Sequence, residues 1–154
     1  MFLNFRKNII SNRVFSIIMD FEIFIKKRRN NLESMGIKQL KTVEDVDKAF
    51  SKPGLNLVFV NSVCGCTLNK AIPGLKSAME DISVDTITTV FAGQDNEATA
   101  RAREYFEPEE PSSPSFFLME KDTLLGSIHR DEIRMNDPKG VRQLILDMIK
   151  VHDS

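Results

Sequence analysis

The sequence predicts an α/β domain whose central sheet mixes parallel and antiparallel strands. Three observations support this: two short apolar segments that each precede a helical pattern, a hairpin pattern near residue 121, and a closing amphipathic segment. Strands joined through a helix need a crossover connection and pair in parallel, whereas a hairpin joins antiparallel strands. At 154 residues the chain has the size of one compact domain.

The first third of the chain begins with helical spacing. Apolar residues recur at helical intervals over Asp20–Met35, and Gly36 follows as a stop signal. Residues 37–40 are predicted to form a short edge strand. Thr42–Asp45 then has the pattern of a capping box for a helix that ends near Phe50.

The middle of the chain alternates strands and helices. Leu55–Val60 is a short apolar run rich in β-branched and aromatic residues, as expected for a buried central strand. A helical pattern starts at Cys64, and Pro73 inside it predicts a kink. Thr86–Phe91 is a second β-branched strand, and a helix over about 95–106 follows it.

The last third adds a hairpin and a helix. Ser115–Met119 and Leu124–Ile128 flank residues 121–122, which indicates a β-hairpin. Asp137-Pro138 supplies an N-cap and a first-turn proline for a last helix. The order is a helix, then βαβαβα, then a hairpin and a closing helix. We therefore expect a thioredoxin-like three-layer α/β fold, with a mixed central sheet and one extra N-terminal helix.

The first 18 residues differ from the rest in composition. They contain Arg6, Lys7 and Arg13, and no acidic residue occurs before Asp20. Such a segment resembles a targeting sequence, but it has neither a clean apolar core nor a small-residue cleavage site. We expect residues 1–18 to be an over-long start or a loosely ordered extension, and residues 19–154 to form the thioredoxin-like domain.

The overall composition narrows the functional class. The chain has 42% hydrophobic and 28% charged residues and a net charge of -1, as in a globular domain without the basic excess of nucleic-acid-binding proteins. No apolar run approaches the ~20 residues that cross a bilayer, so we expect no membrane partner. Its two cysteines are too few and too close for a secreted disulfide framework, which favours the reducing cytoplasm. The oligomeric state is left open.

The chemistry is predicted to lie in Cys64-Gly65-Cys66, at the start of a helix. Backbone N–H groups and the positive end of a helix dipole favour thiolate over thiol there, so Cys64 is the expected nucleophile. Cys66 is near enough to attack a mixed disulfide formed on Cys64. Gly65 fits between them because a Cys-x-Cys disulfide closes a tight ring that a side chain would crowd.

Other roles for the two thiols have less support in the sequence. A disulfide closing so short a loop would stabilise the fold very little, although two inert core thiols stay possible. A metal site needs two more ligands, and the only histidines are His129 and His152, with no ligand spacing. A complete site would need an intersubunit arrangement or a bound cluster, and we expect no metal at the site.

A substrate contact is predicted ahead of the hairpin. In a thioredoxin-like fold the proline at that place is typically cis, and the residue before it offers backbone groups to the substrate. Ser113 and Pro114 occupy these two positions. Arg130 follows the hairpin and could meet an anionic adduct, although a solvated surface arginine is the commoner case.

Three segments together resemble the bacilliredoxins. They are Asn61–Cys66 (NSVCGC), residues 90–106, which run from VFAGQD to REYF, and Pro111–Ser115 (PSSPS). The similarity extends from about Met19 to the C-terminus. Three motifs in the right order are far more specific than Cys-x-Cys alone.

The resemblance implies a thiol–disulfide oxidoreductase that reduces mixed disulfides between protein cysteines and bacillithiol, a low-molecular-weight thiol. Cys64 would accept bacillithiol, and a second thiol or Cys66 would release it. No cofactor is expected beyond bacillithiol as co-substrate, and the partners are bacillithiolated or disulfide-containing proteins. A general oxidoreductase or isomerase, or a carrier of a metal or cluster, remains the alternative.

Two departures limit the comparison. Family members often carry histidines after the hairpin, whereas residues 125–133 here read LGSIHRDEI. A proton-shuttle role for those histidines therefore cannot be carried over directly to this chain. Thioredoxin also has a buried carboxylate in the strand before its cysteines, but residues 57–60 here are all apolar. A proton must then come from solvent, from Asn61 or Ser62, or from the departing thiol.

Overall fold

The structure is a computed structural model that describes the backbone of residues 2–152 and the side chains of residues 11–152. Two compact units are present, divided between Gly36 and Ile37. Among the helices in this range, none is long and apolar enough to span a bilayer.

The first unit is a single helix, α1 (Phe2–Ser34). The helix predicted over residues 20–35 is confirmed as its C-terminal half. The helix stops at Gly36, whose φ of 84° suits glycine and whose N–H donates to the Glu33 carbonyl at 2.9 Å. Within α1 the rings of Phe21 and Phe24 stack with centroids 6.5 Å apart. The division of the chain at residue 18 stays a prediction.

The second unit contains the sheet and the remaining helices. Its elements, in chain order, are β1 (Lys38–Gln39), α2 (Val43–Ala49), β2 (Leu55–Asn61), a π-helical turn (Thr67–Ala71), α3 (Ile72–Ala78), β3 (Thr86–Phe91), α4 (Asn96–Tyr105), β4 (Ser115–Glu120), β5 (Thr123–Ile128), α5 (Arg130–Arg134) and α6 (Pro138–Val151). The predicted elements are all present.

The five strands form one sheet in the order β1-β3-β2-β4-β5. Strand β3 pairs in parallel with β1 and β2, while β4 pairs antiparallel with β2 and β5. The mixed sheet is therefore confirmed, with β2 at its centre. Lys121 closes the hairpin in the left-handed region, at a φ of 52°.

Strand β2 is buried on both faces. Leu57, Val58, Phe59 and Val60 are all 0% exposed. Val58 and Val60 pack into a cluster that includes residues of α2 and α4. Phe59 points to the other face, where its ring stacks on Phe116 at a centroid distance of 4.9 Å. Burial on both faces explains why this strand is apolar at every central position.

The predicted helix caps form as the sequence indicates. The Thr42 Oγ1 accepts the Asp45 N–H at 3.0 Å, and the Asp45 carboxylate accepts the Thr42 N–H at 3.3 Å. At α6 the Asp137 carboxylate accepts the Gly140 N–H at 2.8 Å. Both helices therefore start where their capping residues stand.

The predicted kink at Pro73 takes the form of a π-helical turn. The Ile72 N–H donates to the Thr67 carbonyl, five residues back, directly before the proline. A proline ring clashes with the carbonyl four residues earlier in a regular α-helix, and the wider turn relieves that contact. The helix that starts beside the cysteines therefore continues past Pro73 into α3.

Helix α5 was not expected from the sequence. At five residues it is too short to show helical periodicity. Two contacts define its ends: the Glu132 carboxylate accepts the His129 N–H at 3.2 Å, and the Lys70 ammonium donates to the Arg134 carbonyl. The second contact connects α5 to the π-helical turn that follows the cysteines.

We predict that Gly74→Ala destabilises the fold, because α3 and α6 approach closely there. A Cβ on Gly74 would lie 2.6 Å from Val141 Cγ1. Overpacking of this kind costs about 1–3 kcal/mol of unfolding free energy, measurable by denaturant titration. Gly65→Ala is the matched control, since its Cβ would meet only the Asn69 amide nitrogen at 3.9 Å. Equal stability of both variants would contradict the prediction.

Candidate active site

The cysteines lie just after the central strand. Strand β2 ends at Asn61, and the connecting Ser62 is buried. Its hydroxyl lies 2.9 Å from the hydroxyl of the fully buried Thr67, and it accepts the Cys64 N–H at 3.3 Å. The Thr67 N–H donates to the Cys64 carbonyl at 3.0 Å, which closes the first turn. These bonds hold the Cys64 backbone at the end of the sheet.

Both cysteines are free thiols and half-buried. The backbone N–H of Cys66 is the main cause that lowers the pKa of Cys64 below its ordinary value, and burial opposes it. The Cys66 side chain and the Arg130 guanidinium lower this pKa further. The direction agrees with the expectation that N–H groups of the first helical turn favour the thiolate. The catalytic roles of Cys64 and Cys66 stay predictions.

Arg130 brings a positive charge close to this thiol. Its Nη2 lies 3.9 Å from Cys64 Sγ, a long but charge-assisted contact if the sulfur is a thiolate. The sequence favoured a solvated surface arginine. Arg130 is exposed, but the unexpected helix α5 and its contact through Lys70 bring it to the thiol. Its position directly after the hairpin was the only sequence signal.

The strand beneath the cysteines carries no carboxylate. Its central residues, 57–60, are apolar and fully buried, as the sequence indicated. A departing thiolate therefore cannot take its proton from a side chain of this part of β2.

Ser113 and Pro114 lie directly before β4. The peptide bond between them is cis, Pro114 is buried and Ser113 is half-buried. The Ser115 hydroxyl donates to the Ser112 carbonyl at 2.8 Å, which fixes the turn into the strand. The cis bond expected at this place is confirmed, while the substrate contact remains a prediction.

A cleft of about 450 Å³ is lined by residues of this loop and of α5. Ser113 and Arg130 both line it, and Arg130 also reaches Cys64. Its lining comprises Arg103, Glu110, Pro111, Ser112, Ser113, His129, Arg130 and Asp131. Arg103 lies within residues 90–106, which carry the family resemblance, but no role was predicted for it from the sequence.

His129 ties the loop to the hairpin. Its Nδ1 lies 2.8 Å from the Ser112 hydroxyl and its Nε2 lies 2.9 Å from the Glu109 carboxylate. The Ser127 hydroxyl donates to the same carboxylate at 3.0 Å. In the sequence, His129 was considered only as a metal ligand, without the spacing of a metal site. In the structure, both nitrogens of its ring have hydrogen-bond partners. Over residues 11–152, no three His, Cys, Asp or Glu side chains group as a metal site.

Solved structures similar to this one include thioredoxins. Mitochondrial thioredoxin 3 from Saccharomyces cerevisiae matches with a TM-score of 0.53 at 15% identity, over 75% of this chain and 94% of that chain. Thioredoxin from Trypanosoma brucei brucei matches with a TM-score of 0.54 at 19% identity, over 74% and 91%. These similarities establish the thioredoxin fold.

Sequence comparisons are more specific. A family model described as disulphide isomerase matches residues 21–152. A bacilliredoxin of Geobacillus kaustophilus is 49% identical over 123 residues, 79% of this chain and 84% of that protein. A bacilliredoxin of Staphylococcus aureus is 45% identical over 128 residues, 80% of this chain and 88% of that protein.

The thioredoxin fold and a thiol pair at the start of a helix define this chain as a thiol–disulfide oxidoreductase. Both bacilliredoxins exceed 40% identity over most of their own length. The chain belongs to the bacilliredoxin family.

We predict that Cys64 is alkylated by iodoacetamide with a midpoint below that of an ordinary cysteine thiol, because its pKa is lowered. Since Arg130 favours the charged form, Arg130→Gln raises the midpoint by about 0.2–0.7 pH units, as for an exposed ion pair. The measurement is the rate of Cys64 modification against pH, followed by mass spectrometry.

Lys76→Gln is the control for this measurement. It removes one exposed positive charge 12 residues along the helix from Cys64, about 18 Å at helical rise. We expect it to leave the midpoint unchanged. A midpoint that does not respond to Arg130→Gln would contradict the assigned contact.

The Glu109 contact predicts a pH-dependent stability. Hydrogen bonds from His129 and then Ser127 lower the pKa of Glu109 below its ordinary 4.5. A lowered carboxyl pKa stabilises the fold above pH 4.5, and the contribution is lost as the pH falls through the folded-state value. Glu109→Gln should therefore lower the unfolding free energy at pH 7 by about 0.5 kcal/mol. The difference should shrink below pH 4.5 in thermal unfolding; a constant difference would contradict the assignment.

Proposed function

We propose that the protein reduces mixed disulfides between protein cysteines and bacillithiol, in the cytoplasm and without a resident cofactor. The observation that carries the proposal is the Cys64 thiol, half-exposed and of lowered pKa, with Cys66 beside it. The bacilliredoxin relatives support bacillithiol as the co-substrate.

The first step is attack by the Cys64 thiolate on the bacillithiol sulfur of a mixed disulfide. The sulfur–sulfur bond to the protein breaks, a new one forms to Cys64, and the protein cysteine leaves as a thiolate that takes a proton from water. The lowered pKa increases the fraction of Cys64 that is in the reactive thiolate form at a given pH. One disulfide is exchanged for another, so no external electrons are needed.

The second step releases bacillithiol. The Cys66 thiolate attacks Cys64 Sγ, bacillithiol leaves as its thiolate, and Cys64 and Cys66 become a disulfide. A second low-molecular-weight thiol can instead attack the adduct directly and displace the Cys64 thiolate. An external thiol reductant must supply two electrons to restore the pair after the first route.

The surface around the thiols suits a protein substrate. Val63 and Leu68, on either side of the pair, are 47% and 53% exposed. These two apolar side chains would contact a polypeptide bound at the thiols. The half-exposed Cys64 thiol lies between them in sequence, where a bound polypeptide would present its mixed disulfide.

We predict that Cys66→Ala traps the first intermediate. Exposure to oxidised bacillithiol should leave about one adduct per chain on Cys64, because the resolving thiol is absent. Intact-mass spectrometry measures the added mass. Cys64→Ser is the matched control and should gain no adduct on Cys66. Recovery of unmodified Cys66→Ala protein would contradict the proposal.

A disulfide isomerase is the second candidate, favoured by the description of the matching family model. The same two thiols would serve it. Refolding of a scrambled disulfide protein distinguishes the two: an isomerase restores native pairing without bacillithiol, whereas the proposed reductase acts only on the mixed disulfide.

A further inference from the structure

The cleft beside Cys64 contains an arginine whose donors are not all satisfied. Arg103, on α4, is half-buried and lines the cleft. Its Nε is buried and has no hydrogen-bond partner among residues 11–152. Buried donors in folded proteins are nearly always paired, so an unpaired one on a guanidinium that lines a cleft needs an explanation, and an oxygen ligand of that guanidinium is one. A guanidinium has five donors and no acceptor, so that ligand must supply oxygen lone pairs.

A second arginine lies on the same cleft. Arg130 lines it and also reaches Cys64 Sγ at 3.9 Å. A ligand held between the two guanidinium groups would therefore lie next to the reactive sulfur. Two arginines on one cleft favour a carboxylate, which matches the planar fork of the guanidinium.

The acidic and histidine groups of the cleft do not neutralise Arg103. Asp131 is 80% exposed and its carboxylate lies 3.5 Å from Arg134. His129 is engaged by Ser112 and Glu109. Glu110 is exposed on the cleft, where it suits an ammonium group of the same ligand. The set of charges fits a small molecule that carries both a carboxylate and an ammonium group.

We propose that this cleft binds the small-molecule half of the mixed disulfide, an amino-acid-derived thiol, with Arg103 holding its carboxylate. The inference rests on the proposed function and names the recognition site for its co-substrate. Ser113 lines the same cleft.

The cleft also selects which sulfur is attacked. A small thiol anchored by its carboxylate at Arg103 presents its own sulfur to Cys64, so the protein cysteine is the group that leaves. Cys64 then carries the small thiol in a disulfide, and its sulfur is no longer an anion. Arg130 has lost its thiolate partner at that point, and its guanidinium turns to the bound carboxylate.

The test uses two disulfides that differ only in their carboxylates. Oxidised glutathione carries carboxylate and ammonium groups, and its fully methyl-esterified form, in which every carboxylate is blocked, keeps only the ammonium groups. The rate of adduct formation on Cys64 is measured by mass spectrometry in the Cys66→Ala chain, with and without Arg103→Gln. We expect Arg103→Gln to slow the reaction with oxidised glutathione about tenfold, as for one charged hydrogen-bonding partner. The ester should change less than about twofold.

Three further measurements keep the test specific. Arg103→Lys keeps the charge but loses the fork, so it should restore the glutathione rate only in part. Lys76→Gln removes a positive charge outside the cleft and should change neither rate. Thermal unfolding and the iodoacetamide rate of Cys64 should be the same with and without Arg103→Gln, which shows an intact fold.

The outcomes separate the inference from the proposed function. An equal loss with both disulfides, or no loss with either, would overturn the carboxylate site while the thiol exchange stands. No adduct with any disulfide, oxidised bacillithiol included, would overturn the proposed function and this site with it.

Discussion

Strand β2 has no exposed face, and this constraint determines where the chemistry takes place. Four consecutive residues, 57–60, are completely buried between helices on both sides of the sheet. A polar group buried in such a strand costs free energy unless it is hydrogen-bonded, and residues 57–60 carry none. The strand becomes polar at Asn61, its last residue, and the thiols come shortly after it. The burial of one strand therefore places Cys64 at the end of the sheet.

The reactivity of Cys64 combines local and distant contributions. The largest cause of its lowered pKa is the N–H of Cys66, two residues away, which any helix start at this point would provide. The Arg130 contact joins residues 66 positions apart and depends on α5 being held by Lys70. The local part follows directly from the Cys-x-Cys spacing at a helix start. The distant part depends on the tertiary fold.

This difference explains how much the sequence could predict. Strands and helices with strong periodicity or capping residues, such as β2 and α2, were predicted close to their observed bounds, because their signals lie within the element. The cis bond before Pro114 followed from the place of that proline ahead of the hairpin. Helix α5 has no internal signal at five residues, so its bounds and the approach of Arg130 could not be predicted.

The network around His129 shows the same limit in another form. Its partners Glu109 and Ser112 come from the loop before β4, and His129 comes from the end of β5. The antiparallel pairing of β4 with β5 brings the two ends of the hairpin together, so these side chains meet across its open end. A single histidine in the sequence does not indicate that Ser112 and Glu109 are its partners. Its role is to hold the loop that carries Ser113, which is a positioning role that only the assembled hairpin shows.

The lowered pKa of Cys64 affects both how this sulfur attacks a disulfide and how it leaves one. In a thiol exchange, a low pKa makes a sulfur both an attacking group at neutral pH and a good leaving group when another thiol attacks. The N–H of Cys66 and the guanidinium of Arg130 stabilise the Cys64 anion without supplying a proton. On the proposed function, Cys64 therefore takes up the small thiol readily and gives it up as readily to a second thiol. Hydrogen bonds and a fixed charge stabilise the thiolate of Cys64 relative to its disulfides, so an adduct on Cys64 is readily displaced by a second thiol.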